Sequence, residues 1–249
     1  MKYKNGRQIP ALVIESLRFV SKVGAMTRQT WYEHFSTGTK RWKQKQLSNL
    51  ISLGIYKPHT TQTIDGSVVI DDYGRGLAKE LNWPYVNSSQ AEFIKHDETL
   101  AIGLWKIEKA GLFPKWMTYK ELRNQELTPH LLKLGSSENK YPDAIAKFQG
   151  MVNSKVVAIE YENDRKSNWR FKKLMQAYQG TKHYEFILFI AETPLTELII
   201  KRSMSYLKDD ELNSKIGFMN VEDWKSNPLS GEIRGLKLGR SLQECAEKM

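Results

Sequence analysis

Three acidic side chains at two places in the chain are the residues best suited to chemistry. Pro142-Asp143 opens the apolar run Ala144-Ile145-Ala146, and Glu160-Tyr161-Glu162 closes a second one, Val156-Val157-Ala158-Ile159. Side chains two apart in an extended chain share a face, so Glu160 and Glu162 point one way while Val157, Ile159 and Tyr161 point the other. An acidic pair in an apolar strand is costly unless it meets solvent or a cation. If Asp143 begins the neighbouring strand, the three carboxylates converge. Such a focus of hard oxygen ligands suits Mg2+ or Mn2+, ions that polarise a phosphodiester and lower the pKa of a bound water. The competing reading makes Asp143, Glu160 and Glu162 ordinary surface carboxylates of a hairpin.

The elements that must position these groups are legible around them. Both runs are rich in strand-forming residues, and Gly150, Asn153 and Ser154 supply a turn between them, so a β-hairpin is expected. Upstream, Trp116-Met117-Thr118 leads into a short helix over 119–124, where Thr118 and Glu121 have capping-box spacing. That spacing accounts for Glu121 structurally and stands beside a role for it in the site. Downstream, a helix over 168–179 carries Arg170, Lys172, Lys173 and Gln176. Lys172 and Lys173 lie four and three residues from Gln176, so one cation and one amide could face the carboxylates, and a cation there would stabilise the charge of a developing phosphorane. The same residues also fit a solvated helix face. A strongly apolar strand over 184–191 follows.

Charge separates the chain into two parts. Its 249 residues carry a formal net charge of +10, which makes a polyanion the first partner to consider. Residues 1–87 hold thirteen Lys and Arg against six Asp and Glu, a surplus of +7 that leaves +3 for the remainder. The cluster Asn82-Trp83-Pro84-Tyr85-Val86-Asn87-Ser88-Ser89 breaks the periodic pattern, so a domain over 1–87 and another over 88–249 are expected. The single cysteine, Cys245, excludes an internal disulfide and a cysteine-based zinc site. No apolar run approaches a membrane span, and a cytoplasmic protein is expected.

In the first part, a helix over 10–22 is followed by a short one from Thr27 to about Phe35 and a third over 39–53, with Gly24 and Gly54 as stops. The third helix directs Trp42, Leu47, Leu50 and Ile51 to a core and leaves Lys40, Arg41, Lys43, Gln44 and Lys45 outward near its start. A recognition helix needs this arrangement, because its first turns must offer donors to base edges and phosphates. Two short β-prone runs joined by Asp65-Gly66 then predict a hairpin. Three helices followed by a hairpin is the order of a winged helix-turn-helix, although a basic run is also what any solvated helix face looks like.

At the start of the second part a long helix over 90–110 is expected to bury Phe93, Leu100, Leu104 and Ile107. His96, within it, has no second histidine at metal-ligand spacing and reads as structural. After 191 the pattern predicts a helix over 193–207 with Leu195, Leu198, Ile199 and Met204 inward, a strand over 216–221, and a basic C-terminal arm or tail over 231–249.

Pro142-Asp143, Glu160-Tyr161-Glu162, the helix after them and the upstream Glu121 together resemble the PD-(D/E)XK nuclease superfamily. With the N-terminal winged helix, His96, Asn163-Asp164-Arg165, Lys173 and Tyr178, the chain from about Pro10 to Ala191 looks like the replication-relaxation family of MobC-type plasmid-mobilisation relaxases. This resemblance implies an α+β or α/β chain, with a winged helix-turn-helix followed by a nuclease-like mixed-sheet domain. It implies a relaxase, an endonuclease that nicks one strand of supercoiled plasmid DNA at a transfer origin for mobilisation or conjugation. Its partners would be double-stranded plasmid DNA, accessory relaxosome proteins and a coupling protein, with no membrane insertion. Asp143, Glu160 and Glu162 would hold Mg2+ or Mn2+, with Glu121 and Lys173 also in the site. Glu162 stands where the superfamily has lysine, so the water-orienting role passes to Glu162 with a metal or to Lys173. Tyr32, Tyr119 and Tyr178 are the tyrosines to weigh against water as nucleophile. The alternatives are a non-catalytic replication or regulatory protein on a nuclease-like scaffold, and a double-strand endonuclease.

Overall fold

The structure is a computed structural model that describes residues 3, 6–59, 66–87, 90–124, 134, 141–149, 156–163, 167–179 and 181–248. The expected turns at Asp65 and at Gly150, Asn153 and Ser154, together with Ser88, Ser89, Asp164 and Arg165, lie outside the described residues. The chain is mixed α and β and divides into two compact units, Met1–Ala101 and Ile102–Met249.

In the first unit, α1 (Ala11–Val23) buries Leu17, Phe19, Val20 and Val23 and ends at Gly24, whose φ of 92° is open to glycine at little cost. Thr27 caps a short helix, α2 (Arg28–Thr30), its side-chain oxygen accepting from the Thr30 N–H. The chain continues as a wider π turn over Trp31–Phe35. Thr39 caps α3 (Lys40–Ser52) in the same way, through the Trp42 N–H. Strands β1 (Tyr56–Pro58) and β2 (Val68–Ile70) pair antiparallel, with Tyr56 opposite Ile70 and Pro58 opposite Val68. A helix that the sequence pattern does not predict, α4 (Asp72–Glu80), follows β2. Its Gly74 sits so close to the Ile55 carbonyl that a Cβ would run into it, so the glycine permits packing here and does not break the helix.

The first long helix after α4 is α5 (Ala91–Lys109), which buries Ile94, Leu100, Leu104 and Ile107 but leaves Phe93 half exposed, against expectation. The second unit is built on a five-stranded mixed sheet of order β3-β4-β5-β6-β7. β3 (Lys115–Thr118), β4 (Ala144–Lys147) and β5 (Val156–Glu162) run antiparallel in turn, and β6 (Tyr184–Ala191) and β7 (Ile216–Asn220) continue parallel to β5. The expected β4–β5 pairing is present. Helix α6 (Tyr119–Asn124) follows β3, α7 (Asn168–Gln179) links β5 to β6, and α8 (Pro194–Ser205) with α9 (Asp210–Ser214) links β6 to β7.

α7 buries Phe171, Leu174, Met175 and Tyr178, at spacings of three, four and seven from the first, in one apolar cluster with Ala158, Ile187, Phe189 and Ile200. Burying side chains of this size stabilises by roughly 1.5–3 kcal/mol each, which fixes α7 against the sheet face that carries Ala158. On α8 the inward positions are Thr196, Ile200, Ser203 and Met204, whereas Leu195 and Leu198 are exposed, so the stripe is rotated from the expected one. The C-terminal stretch is no free tail. After α10 (Val221–Ser226), Ile233, Leu236, Leu242 and Cys245 are buried, Arg234 bridges to Phe218 of β7, and α11 (Leu242–Glu247) closes the chain. An ion pair of 2.6 Å from Arg234 to Glu197 ties this stretch to α8. Burial pushes the Glu197 carboxyl up, but hydrogen bonds from Arg234 and Lys201 outweigh it and leave the carboxyl below its ordinary range.

Candidate functional site

The β4–β5 register places the acidic residues. The β4–β5 ladder begins with Ala144 paired to Ile159, which leaves Asp143 just before the first pair, at the end of the sheet where Glu160 follows Ile159. Asp143 is anchored at this corner twice, its Oδ2 accepting from the Tyr161 N–H at 2.9 Å and its backbone carbonyl accepting from the Tyr119 N–H at 2.7 Å. Glu160 and Glu162 follow Ala158 on the face covered by α7, and both are buried, Glu160 at 3% and Glu162 at 0% exposure. Glu160 and Glu162 are therefore not surface carboxylates of the hairpin.

Tyr178 reaches this face from α7. Its hydroxyl donates to Glu160 Oε1 at 2.6 Å. Burial, then the charge of Glu160, holds the Tyr178 phenol well above its ordinary pKa, and the same two causes raise that of Tyr184. Such a phenol stays protonated and acts as a donor, which disfavours Tyr178 as a nucleophile in this arrangement. Tyr161 points to the other face, where its hydroxyl donates to Glu192 at 2.5 Å.

The remaining candidates are placed elsewhere. Glu121 completes the capping box, with Oε2 accepting from the Thr118 N–H at 2.9 Å while Thr118 Oγ1 accepts from the Glu121 N–H at 3.3 Å. Lys172, Lys173 and Gln176 lie on the exposed side of α7, and the Lys173 ammonium stands 4.0 Å from the centre of the Trp169 ring. The cation expected to face the carboxylates thus faces outward, because α7 turns its apolar stripe and Tyr178 toward the sheet. From the sequence, Tyr178 reads only as a nucleophile or a packing residue. Its place seven residues after Phe171, on the apolar stripe, is the signal that it would meet the strand face. His96 lies 3.1 Å from Asp97 through Nδ1. Among the described residues, no three His, Cys, Asp or Glu side chains are gathered as a metal-holding group.

In the first unit, Lys40, Arg41, Gln44 and Lys45 are exposed on the opening turns of α3. Lys43 is not: its ammonium donates to the Tyr32 carbonyl, and its own carbonyl accepts from Trp31 Nε1 at 3.1 Å. Trp42, expected in the core, is 51% exposed, with Lys45 Nζ 5.9 Å from its ring centre. Leu47 and Leu50 bury as expected.

Comparison of the chain with protein-family models, with curated proteins and with solved structures finds no match. No helix among the described residues is long and apolar enough to cross a membrane.

Proposed function

We propose that the protein is a DNA-nicking enzyme of the relaxase kind. In this reading the first unit is a winged helix whose α3 binds duplex DNA, and the second is a nuclease-like module that cuts one phosphodiester of supercoiled plasmid. The observation that carries the enzymatic half is the 2.9 Å hydrogen bond from the Tyr161 N–H to Asp143 Oδ2, which holds Asp143 beside the strand that carries Glu160 and Glu162. Three carboxylates offer hard oxygens, the donor chemistry that Mg2+ or Mn2+ prefers. This reading assigns Asp143, Glu160 and Glu162 to the site, although in this arrangement the three are not gathered as a metal-holding group. Tyr178 orients Glu160. Lys40, Arg41, Gln44 and Lys45 would meet phosphates and base edges. The setting this supports is plasmid mobilisation in the cytoplasm, with accessory relaxosome proteins and a coupling protein.

The second reading, a DNA-binding protein on a nuclease-like scaffold, is favoured by the hydrogen bonds that already engage Asp143 and Glu160. Incubation with supercoiled plasmid separates the readings. Open circles formed only with Mg2+ or Mn2+ support the nicking enzyme, linear product indicates a double-strand endonuclease, and binding without cleavage under either metal overturns the enzymatic reading.

A further inference from the structure

α7 has two working faces. The inner one meets Glu160 through Tyr178, and the outer one carries Arg170, Lys172 and Lys173, with no acidic residue anywhere in the helix. Two large rings stand on this outer surface: Trp169 on α7 is 62% exposed, and Tyr206, just past α8, is 67% exposed. Each has a cation over it, Lys173 Nζ at 4.0 Å from the Trp169 ring centre and Lys172 Nζ at 5.8 Å from that of Tyr206. A hydrogen bond of 3.3 Å from Ser203 of α8 to the Asn168 carbonyl holds the two helices together beside the rings.

Flat apolar rings interleaved with cations suit a ligand that offers flat faces and negative charge in alternation. An unpaired polynucleotide does so, since its bases can stack on the rings while its phosphates meet the ammonium and guanidinium groups. A duplex keeps its base faces within its own stack, and an acidic peptide would satisfy the cations but leave the rings unused.

We propose that the α7–α8 surface binds single-stranded DNA, with Trp169 and Tyr206 as stacking platforms and Arg170, Lys172 and Lys173 on the phosphates. The need for unpaired bases comes from the surface itself. The choice of DNA over RNA rests on the nicking function proposed above, because a strand cut at one phosphodiester can be unwound from its complement.

The test measures fluorescence anisotropy of labelled oligothymidylate with the full chain, in chelator so that cleavage plays no part. The double variant W169A/Y206A should bind about ten-fold or more weakly, given the usual worth of base–aromatic stacking. W169F should retain most of the affinity. Both rings are exposed, so their replacement spares the fold, which circular dichroism checks. Wild-type affinity in W169A/Y206A, or polyglutamate competing as well as oligothymidylate, would overturn the proposal. Tighter binding of oligouridylate would overturn the assignment to DNA. Plasmid nicking by the same proteins is scored separately, so loss of the enzymatic reading with oligothymidylate binding intact is distinguishable from loss of this one.

Discussion

The hydroxyl of Tyr178 on α7 donates to the carboxylate of Glu160 on β5 at 2.6 Å, with both side chains buried. This bond links the crossover helix to the strand that carries the acidic pair. Y178F keeps the ring but removes the donor, leaving a buried carboxylate short of one hydrogen bond. It should cost about 1–3 kcal/mol of stability by denaturant titration. The double-mutant cycle with E160Q should return a coupling of roughly 0.5–3 kcal/mol. Additive effects would show that the two groups do not support one another.

Asp143 holds the Tyr161 N–H, so its shape and its charge are separable. D143N can keep an oxygen toward that N–H, and the fold should survive with little change in melting temperature. On the proposed function, nicking of supercoiled plasmid should nevertheless fall by roughly 10²-fold or more, since even outer partners of a metal site are worth about 10–100-fold. Undiminished nicking in D143N would remove Asp143 from the chemistry.

Glu121 invites a similar separation. The capping box accepts glutamine as well as glutamate at this place, so E121Q should be nearly neutral in stability while E121A costs about 1 kcal/mol. If E121Q folds normally and stops nicking, the carboxylate serves the site as well as the cap.

In the first unit, buried Glu98 accepts from the Thr27 N–H at 2.5 Å, and burial, only partly offset by hydrogen bonds from Thr27 and Thr30, pushes its pKa up to about 7. Its ordinary value is 4.5. Between those values the folded state holds a proton that the unfolded state has released, so stability falls as pH rises. The contribution, on the order of a few kcal/mol, is fully present below the unfolded value and is lost through the folded one. E98Q keeps an oxygen acceptor and cannot ionise, so unfolding of this unit should lose that slope between pH 4.5 and 7. An unchanged slope in E98Q would assign it to another group.

Lys40 and Arg41 are exposed at the start of α3, whereas Lys43 is tied to the Tyr32 carbonyl. Replacing Lys40 or Arg41 by alanine should weaken duplex binding and lower the slope of log affinity against log salt by about 1 for every phosphate left without its cation. K43A should instead lower thermal stability. Equal salt slopes in K40A, R41A and the wild type would place the duplex interface elsewhere.

Much of the framework could be read from local sequence. Thr27 caps the short helix that follows it, Thr118 and Glu121 form the box their spacing predicts, and the alternation of β5 sets Glu160 and Glu162 on one face. What misled was coverage. Trp42, Phe93, Leu195 and Leu198 fit an apolar stripe yet are exposed, because which part of a helix is buried depends on the neighbour that packs on it. Gly74 masked α4, since a glycine that lets a backbone approach looks the same in sequence as one that ends a helix.

The sequence by itself determined the caps, the strand alternation, the basic first part and the three acidic side chains, all of which depend on residues a few positions apart. Only the tertiary structure decided that Tyr178 rather than Lys173 would meet Glu160, and that the last stretch would pack onto β7 instead of trailing free. The reason is physical: α7 rotates until its largest apolar stripe is covered by the sheet, and that rotation carries every other side chain on the helix with it.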